Sequence, residues 1–151
     1  MIARAVPKTG PRRSRLLYVE EHAENVALVE ALLAGRKDLL LLHAADANLG
    51  IRLARSRRPE AILIDIDVDL AGMSALEFMK VLRADPATET TPVLALAADT
   101  APGAIVKALE AGFFQVLAKP LQAAPFMEAL AFALEFTAVE RAEQNTFKES
   151  R

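Results

Sequence analysis

The amino-acid sequence predicts an α/β fold of five strand–helix units built around a parallel sheet. Three observations carry this reading. Short, almost wholly apolar runs recur along the chain, helix-length segments stand between them, and the connections are brief. A continuous apolar run suits a strand covered on both faces, as a parallel sheet requires. Alternation of the two textures implies a doubly wound sheet. For five strands the expected solution is the flavodoxin-like order 2-1-3-4-5.

The elements follow in order. Leu16–Val19 is the first apolar run. Glu24 to Ala34 then places Val26, Val29 and Leu33 on one helical face, and Gly35 behind it suits a helix stop. Leu39–Leu42 is the second strand, and Asp46 is an N-cap for a helix reaching Arg57, with Leu49, Ile51 and Leu53 apolar. After the third run, Ala61–Ile64, Ser74 caps a segment in which Leu76, Met79 and Leu82 recur at helical spacing up to Asp85-Pro86. Val93–Ala97 is the fourth run. Pro102 opens a helix to Ala111, with Gly112 behind it. Phe113–Leu117 is the fifth run, and the last helix opens near Pro125 and extends to about Ala142.

Composition narrows the class. The chain has 151 residues, 53% hydrophobic and 25% charged, with a net charge of −2 and no cysteine. One domain of this size buries roughly 70% of the surface of its unfolded chain. The apolar content excludes a disordered chain, and the lack of cysteine excludes disulfides, thiolate metal sites and cysteine nucleophiles. No apolar run approaches the ~20 residues of a membrane span, and none of signal-peptide length follows the basic N-terminus. A cytoplasmic protein is therefore expected, with a basic tail over residues 1–14, a domain over 15–139, and a charged tail or helix extension over 140–151. The basic stretch Arg52–Arg58 has no interleaved aromatics and reads as a solvated helix face, so no nucleic-acid partner is expected. No DNA-binding domain is expected after the last helix either.

Chemistry in such sheets collects at the carboxyl ends of the strands. The first run ends in Glu20-Glu21, the third in Asp65 with Asp67 and Asp69 behind it, and the fifth in Lys119-Pro120. Carboxylates converging from separate strands suit a hard cation such as Mg²⁺, which takes one or two carboxylates, waters and phosphate oxygens. A nearby ammonium suits phosphoryl transfer to an aspartate, where metal and lysine neutralise the transition state.

The segments LLYVEEHAENVALVEALL, RPEAILIDI, GMSALEFMKVLRADPATETTPVLALAAD and GFFQVLAKPL, in this order, resemble the response-regulator receiver domain of two-component phosphorelays, over about Arg15 to Phe136. The resemblance implies a phosphoacceptor at Asp65, Mg²⁺ held by Glu20 and Glu21 with Asp65, and a phosphoryl-contacting Lys119. It implies a sensor histidine kinase or phosphotransfer protein as phosphoryl source, and a substrate-and-switch role rather than turnover. The chain departs from the family pattern at several positions. Ala97 stands where a Thr or Ser hydroxyl is usual, and Val116 stands where an aromatic switch residue is usual. The second acidic position is Glu21 rather than Asp, and the loop IDVDLAGMS lacks the usual proline. That loop carries an apparent two-residue insertion, so counting back from Gly72-Met73-Ser74 selects Asp67 as acceptor. Asp65 is favoured because the apolar run ends just before it. If the strand continued, both carboxylates would point the same way.

Two alternatives stand beside this reading. One is a pseudo-receiver that works only by binding. The other rests on ILIDIDVD, which also fits the first motif of haloacid-dehalogenase-like phosphatases. That motif normally lies on the first strand, and no later metal pair accompanies Asp99. His22 reads as an exposed loop residue and His43 as structural. On the last helix, Phe126, Leu130, Ala133 and Leu134 form a core stripe, while Phe132, Phe136 and Val139 form a second stripe almost opposite. The second stripe predicts a partner or homodimer face.

Overall fold

A computed structural model describes residues 13–149. The basic tail expected over residues 1–14 lies outside the described residues apart from its last two. Those two are already built into the fold: Ser14 N donates to Asp38 O at 2.8 Å, and Arg13 Nη2 donates to Leu39 O at 3.0 Å.

Ten elements alternate: β1 (Ser14–Val19), α1 (Ala23–Leu33), β2 (Leu39–Ala44), α2 (Ala47–Arg57), β3 (Ala61–Asp65), α3 (Ala75–Arg83), β4 (Val93–Ala97), α4 (Pro102–Glu110), β5 (Gln115–Ala118) and α5 (Ala123–Glu149). The strands pair in parallel in the order β2-β1-β3-β4-β5, the flavodoxin-like arrangement predicted from the sequence. Side chains alternate across the sheet with the period of two that strands impose. On β1, Leu17 and Val19 join the core beneath α2, α3 and α4, while Leu16 and Tyr18 join the core beneath α1 and α5.

Local signals place the helices. Asp46 caps α2 by accepting from Leu49 N at 2.8 Å, and Ser74 with Glu77 forms a reciprocal capping box on α3. On α3 the buried face takes in only two of the three apolar residues that recur at helical spacing. Ala75, Phe78, Met79 and Leu82 are buried, whereas Leu76 is 54% exposed. One residue turns a helix by about 100°, so a face centred on Phe78 carries Leu76 out to solvent. Gly50 lets α2 lie hard against the sheet: a Cβ there would stand 2.9 Å from Val19 Cγ2 and 3.3 Å from Phe78 Cε1.

The helix α5 opens two residues before Pro125 and passes Ala142 without a break. Phe126, Ala129, Leu130 and Ala133 are buried against the sheet. Further along, Thr137 Oγ1 donates to Glu60 O at 2.7 Å, and Arg141 Nη1 donates to Glu60 Oε2 at 2.6 Å. Residues 140–149 are thus a helix extension rather than a tail. Of the second stripe, Phe132 and Val139 are more than half exposed, while Phe136 tilts against Phe114 with ring centroids 5.4 Å apart. No helix among the described residues is long and apolar enough to cross a membrane.

Candidate functional site

The carboxyl ends of β1, β3, β4 and β5 meet along one rim, as a doubly wound sheet dictates. Asp65 is the last residue of β3, and Lys119 directly follows β5. The Lys119 ammonium donates to Asp65 Oδ2 at 2.8 Å and lies 2.8 Å from Asp67 Oδ2. Asp67 does not get there by continuing the strand. β3 ends at Asp65, whose Oδ1 accepts from Asp67 N at 2.7 Å, and this turn swings Asp67 back to the rim. Asp67 Oδ2 also accepts from Ala98 N at 2.8 Å, just past the end of β4. Three strand ends are therefore tied through two carboxylates, one ammonium and one backbone amide.

The electrostatics follow from these contacts. Burial works against the charge on Lys119, but the hydrogen bonds and negative charge of Asp65 and Asp67 outweigh it and hold the ammonium above its ordinary value. The Lys119 hydrogen bond holds Asp67 below the usual carboxylate range; partial burial opposes this, and the Ala98 amide reinforces it.

At the end of β1, Glu20 is buried at 4% exposure and well partnered. It accepts from His22 N at 2.9 Å, from Asn25 Nδ2 at 3.1 Å and from the Tyr18 hydroxyl at 3.4 Å. Burial, then the charges of Glu20 and Asp65, push the Tyr18 phenol well above its ordinary value. His43 on β2 lies 2.7 Å, through Nε2, from the Glu20 carbonyl oxygen, a contact between neighbouring strand ends. His22 is exposed and faces Glu24 at 3.8 Å.

A cleft of about 140 Å³ runs between these groups, lined by Tyr18, Glu20, Asn25, Asp65, Leu96 and Lys119 among others. It brings Glu20, Asp65 and Lys119 together from three distant parts of the chain. Glu21 is exposed and does not line it. Two oxygen donors on one cleft suit a cation that keeps most of its waters. A dedicated cage is not built: among the described residues no three His, Cys, Asp or Glu side chains converge as metal ligands. Ala97 is buried at the end of β4 and carries no hydroxyl, and Val116 is half-buried on β5. Asp99 accepts from Ala101 N at 2.9 Å in a local turn.

Sequence reasoning found Glu20, Asp65 and Lys119 from their places at strand ends. It missed the donors that hold them. Tyr18 was legible as a neighbour of Glu20, since residues two apart on a strand share a face. Asn25 and the Ala98 amide depend on tertiary placement and leave no local signal.

A doubly wound α/β domain with an aspartate–lysine pair at its strand rim defines a recognisable class. Residues 16–131 match the response regulator receiver domain, and the chain belongs to that family. Over 124 residues it is 33% identical to the sensory/regulatory protein RpfC of Xanthomonas campestris, covering 80% of this chain and 16% of that protein. It is 31% identical over 108 residues to the response regulator PleD of Caulobacter vibrioides, covering 72% of this chain and 23% of that one. The chain thus spans less than a quarter of either relative. Among solved structures, the signal receiver domain of a putative LuxO repressor protein from Vibrio parahaemolyticus superposes with a TM-score of 0.75 at 20% identity, covering 86% of this chain and 96% of that one. The receiver domain of the sensor histidine kinase PA1611 from Pseudomonas aeruginosa, solved with a magnesium ion in its active-site cleft, gives a TM-score of 0.68 at 25% identity, covering 83% and 98%. The chain is a receiver domain of the kind used in two-component signalling.

Proposed function

We propose that this receiver accepts a phosphoryl group on Asp65 from the phosphohistidine of a sensor histidine kinase or phosphotransfer protein. The observation that carries the reading is the Lys119 ammonium held 2.8 Å from Asp65 Oδ2 at the strand rim. A carboxylate oxygen of Asp65 bonds to phosphorus as the donor's P–N bond breaks. The bonding electron pair stays on the imidazole nitrogen, which takes a proton from solvent. Lys119 is placed to neutralise charge building on the phosphoryl oxygens. Mg²⁺, when held by Glu20 and Asp65, supplies further positive charge there. Asn25, the Tyr18 hydroxyl and the His22 amide fix the Glu20 carboxylate toward the cleft.

The response to phosphorylation differs from the usual one, because Ala97 and Val116 supply neither a hydroxyl nor an aromatic ring to couple to the phosphoryl group. The exposed stripe of Phe132, Phe136 and Val139, beside a shallow groove that Phe114 also lines, serves as the contact face for a second copy. Incubation with Mg²⁺ and acetyl phosphate, followed by intact mass and peptide mapping, tests the central claim. One added phosphoryl group on Asp65 is expected. An unmodified protein overturns the reading in favour of a binding-only pseudo-receiver, and a modification mapped to Asp67 reassigns the acceptor.

A further inference from the structure

The carboxylate of Asp67 occupies the place that the phosphoryl chemistry of Asp65 requires. A phosphoryl group on Asp65 brings anionic oxygens into the space beside Lys119 and needs hydrogen-bond donors there. Two donors converge on that space, the Lys119 ammonium and the Ala98 amide, and a single oxygen, Asp67 Oδ2, takes both at 2.8 Å. Asp67 is delivered by the turn whose first bond is its own amide to Asp65 Oδ1, so the occupant is fixed to the acceptor it competes with. The side chain is one-third exposed and, among the described residues, its carboxylate is held by Lys119 and the Ala98 amide, so rotation about its own bonds releases it to water.

We propose that Asp67 is an internal anion standing in for the phosphoryl group, and that phosphorylation of Asp65 proceeds only as this carboxylate is displaced from Lys119 and Ala98. The inference rests on the reading of Asp65 as acceptor. It has two consequences. Entry of a phosphoryl group exchanges one anion for another at the same donors, so its net gain is smaller than at a site without the carboxylate. In the unmodified protein, meanwhile, the ends of β4 and β5 are already joined to the loop after β3 by a negative group. Ala97 offers no hydroxyl at this place, and the Asp67 carboxylate is the polar side chain that meets the end of β4 instead.

The test compares the wild type with Asp67→Asn and Asp67→Ser in Mg²⁺ and acetyl phosphate, following the acyl phosphate by intact mass and the Ala98 amide by NMR. Both variants are expected to gain the group on Asp65 on the order of tenfold faster, the scale of one charge-assisted hydrogen bond. The Ala98 amide resonance is expected to shift in the unmodified variants, and on phosphorylation to converge with that of the phosphorylated wild type. Equal or slower modification of the variants, with Asp65 modified in all three, overturns this inference and leaves Asp65 as acceptor. No adduct on any of the three overturns the acceptor reading itself, and this inference with it. An adduct on Asp67 in the wild type does the same. The Asp67→Ser variant keeps a short polar side chain, so agreement between the two variants ties the effect to the lost charge.

Discussion

The two ends of the sheet each carry a partly buried ion pair, and they are built on opposite plans. At the amino end of β3, Arg141 meets one carboxylate, Glu60, at 2.6 Å, and its second nitrogen is taken by the carbonyls of Arg58 and Pro59. The other Glu60 oxygen accepts from Arg15 N at 2.7 Å. Charges there are matched one to one, and the second Arg141 nitrogen and the second Glu60 oxygen both bind backbone. At the carboxyl end, one ammonium is shared between two carboxylates beside an open cleft. The matched end is a clamp that holds α5 against β3. The unmatched end has an excess of negative charge around a single cation, an arrangement that gains when further positive charge arrives and lets one anion be exchanged for another. The same ion-pair chemistry thus gives rigidity at one end and exchange at the other.

The comparison breaks most sharply at Lys119. Lys119→Met is expected to slow acyl-phosphate formation by about a hundredfold, the scale of losing one preorganised charge donor, while Arg141→Ala leaves that rate unchanged; both are read by intact mass over time. Stability is expected to respond in the reverse sense. Arg141→Ala strips the charged partner from Glu60 and should cost about 2 kcal/mol in urea unfolding. Lys119→Met should cost less: Asp65 is as buried as Glu60 but keeps the Asp67 amide on Oδ1, Asp67 is one-third exposed to water, and Arg141 alone also donates to the carbonyls of Arg58 and Pro59. A larger loss at Lys119 than at Arg141 would reverse the assignment of clamp and exchange site.

These contrasts also mark what could be read from the chain. The strand ends carrying Glu20, Asp65 and Lys119 were legible because a near-continuous apolar run announces a buried strand and its next polar residue announces the rim. Asp46 and the Ser74–Glu77 pair were legible because caps are local. The Arg141–Glu60 clamp was not: its partners stand 81 positions apart, and nothing near Arg141 separates it from a solvated helix charge. Leu76 recurs at helical spacing with Met79 and Leu82 yet is exposed, because that spacing does not say where the buried face is centred. Asp67 was visible as a candidate acceptor, but its hold on Ala98 depends on a turn after β3 that leaves no local signal.

Smaller effects sharpen the picture. Replacing Phe132 and Phe136 together with Ser is expected to shift sedimentation from dimer to monomer with little change in the rate of Asp65 modification, because that face lies away from the rim cleft. An unchanged mass removes the dimer face. Tyr18 gives the finest probe, as the chain has one tyrosine. Its phenol is raised in the folded state, by burial first and then by Glu20 and Asp65, so the folded state favours the protonated form. The stability it contributes is fully present below the unfolded value of about 10 and is lost as pH rises above it. Absorbance titration should show tyrosinate appearing together with unfolding, and an ordinary titration in the folded protein would contradict this packing.

The narrow gap between Gly50 and Val19 has an outcome of another kind. Because a methyl on residue 50 would meet Val19 Cγ2 at 2.9 Å, the two positions share one allotment of space. Gly50→Ala alone should push α2 outward, with a penalty of about 1–3 kcal/mol for overpacking. The same change made together with Val19→Ala vacates the room it needs. In diverging sequences of this domain, bulk at these two positions is therefore expected to trade hands, one growing only as the other shrinks.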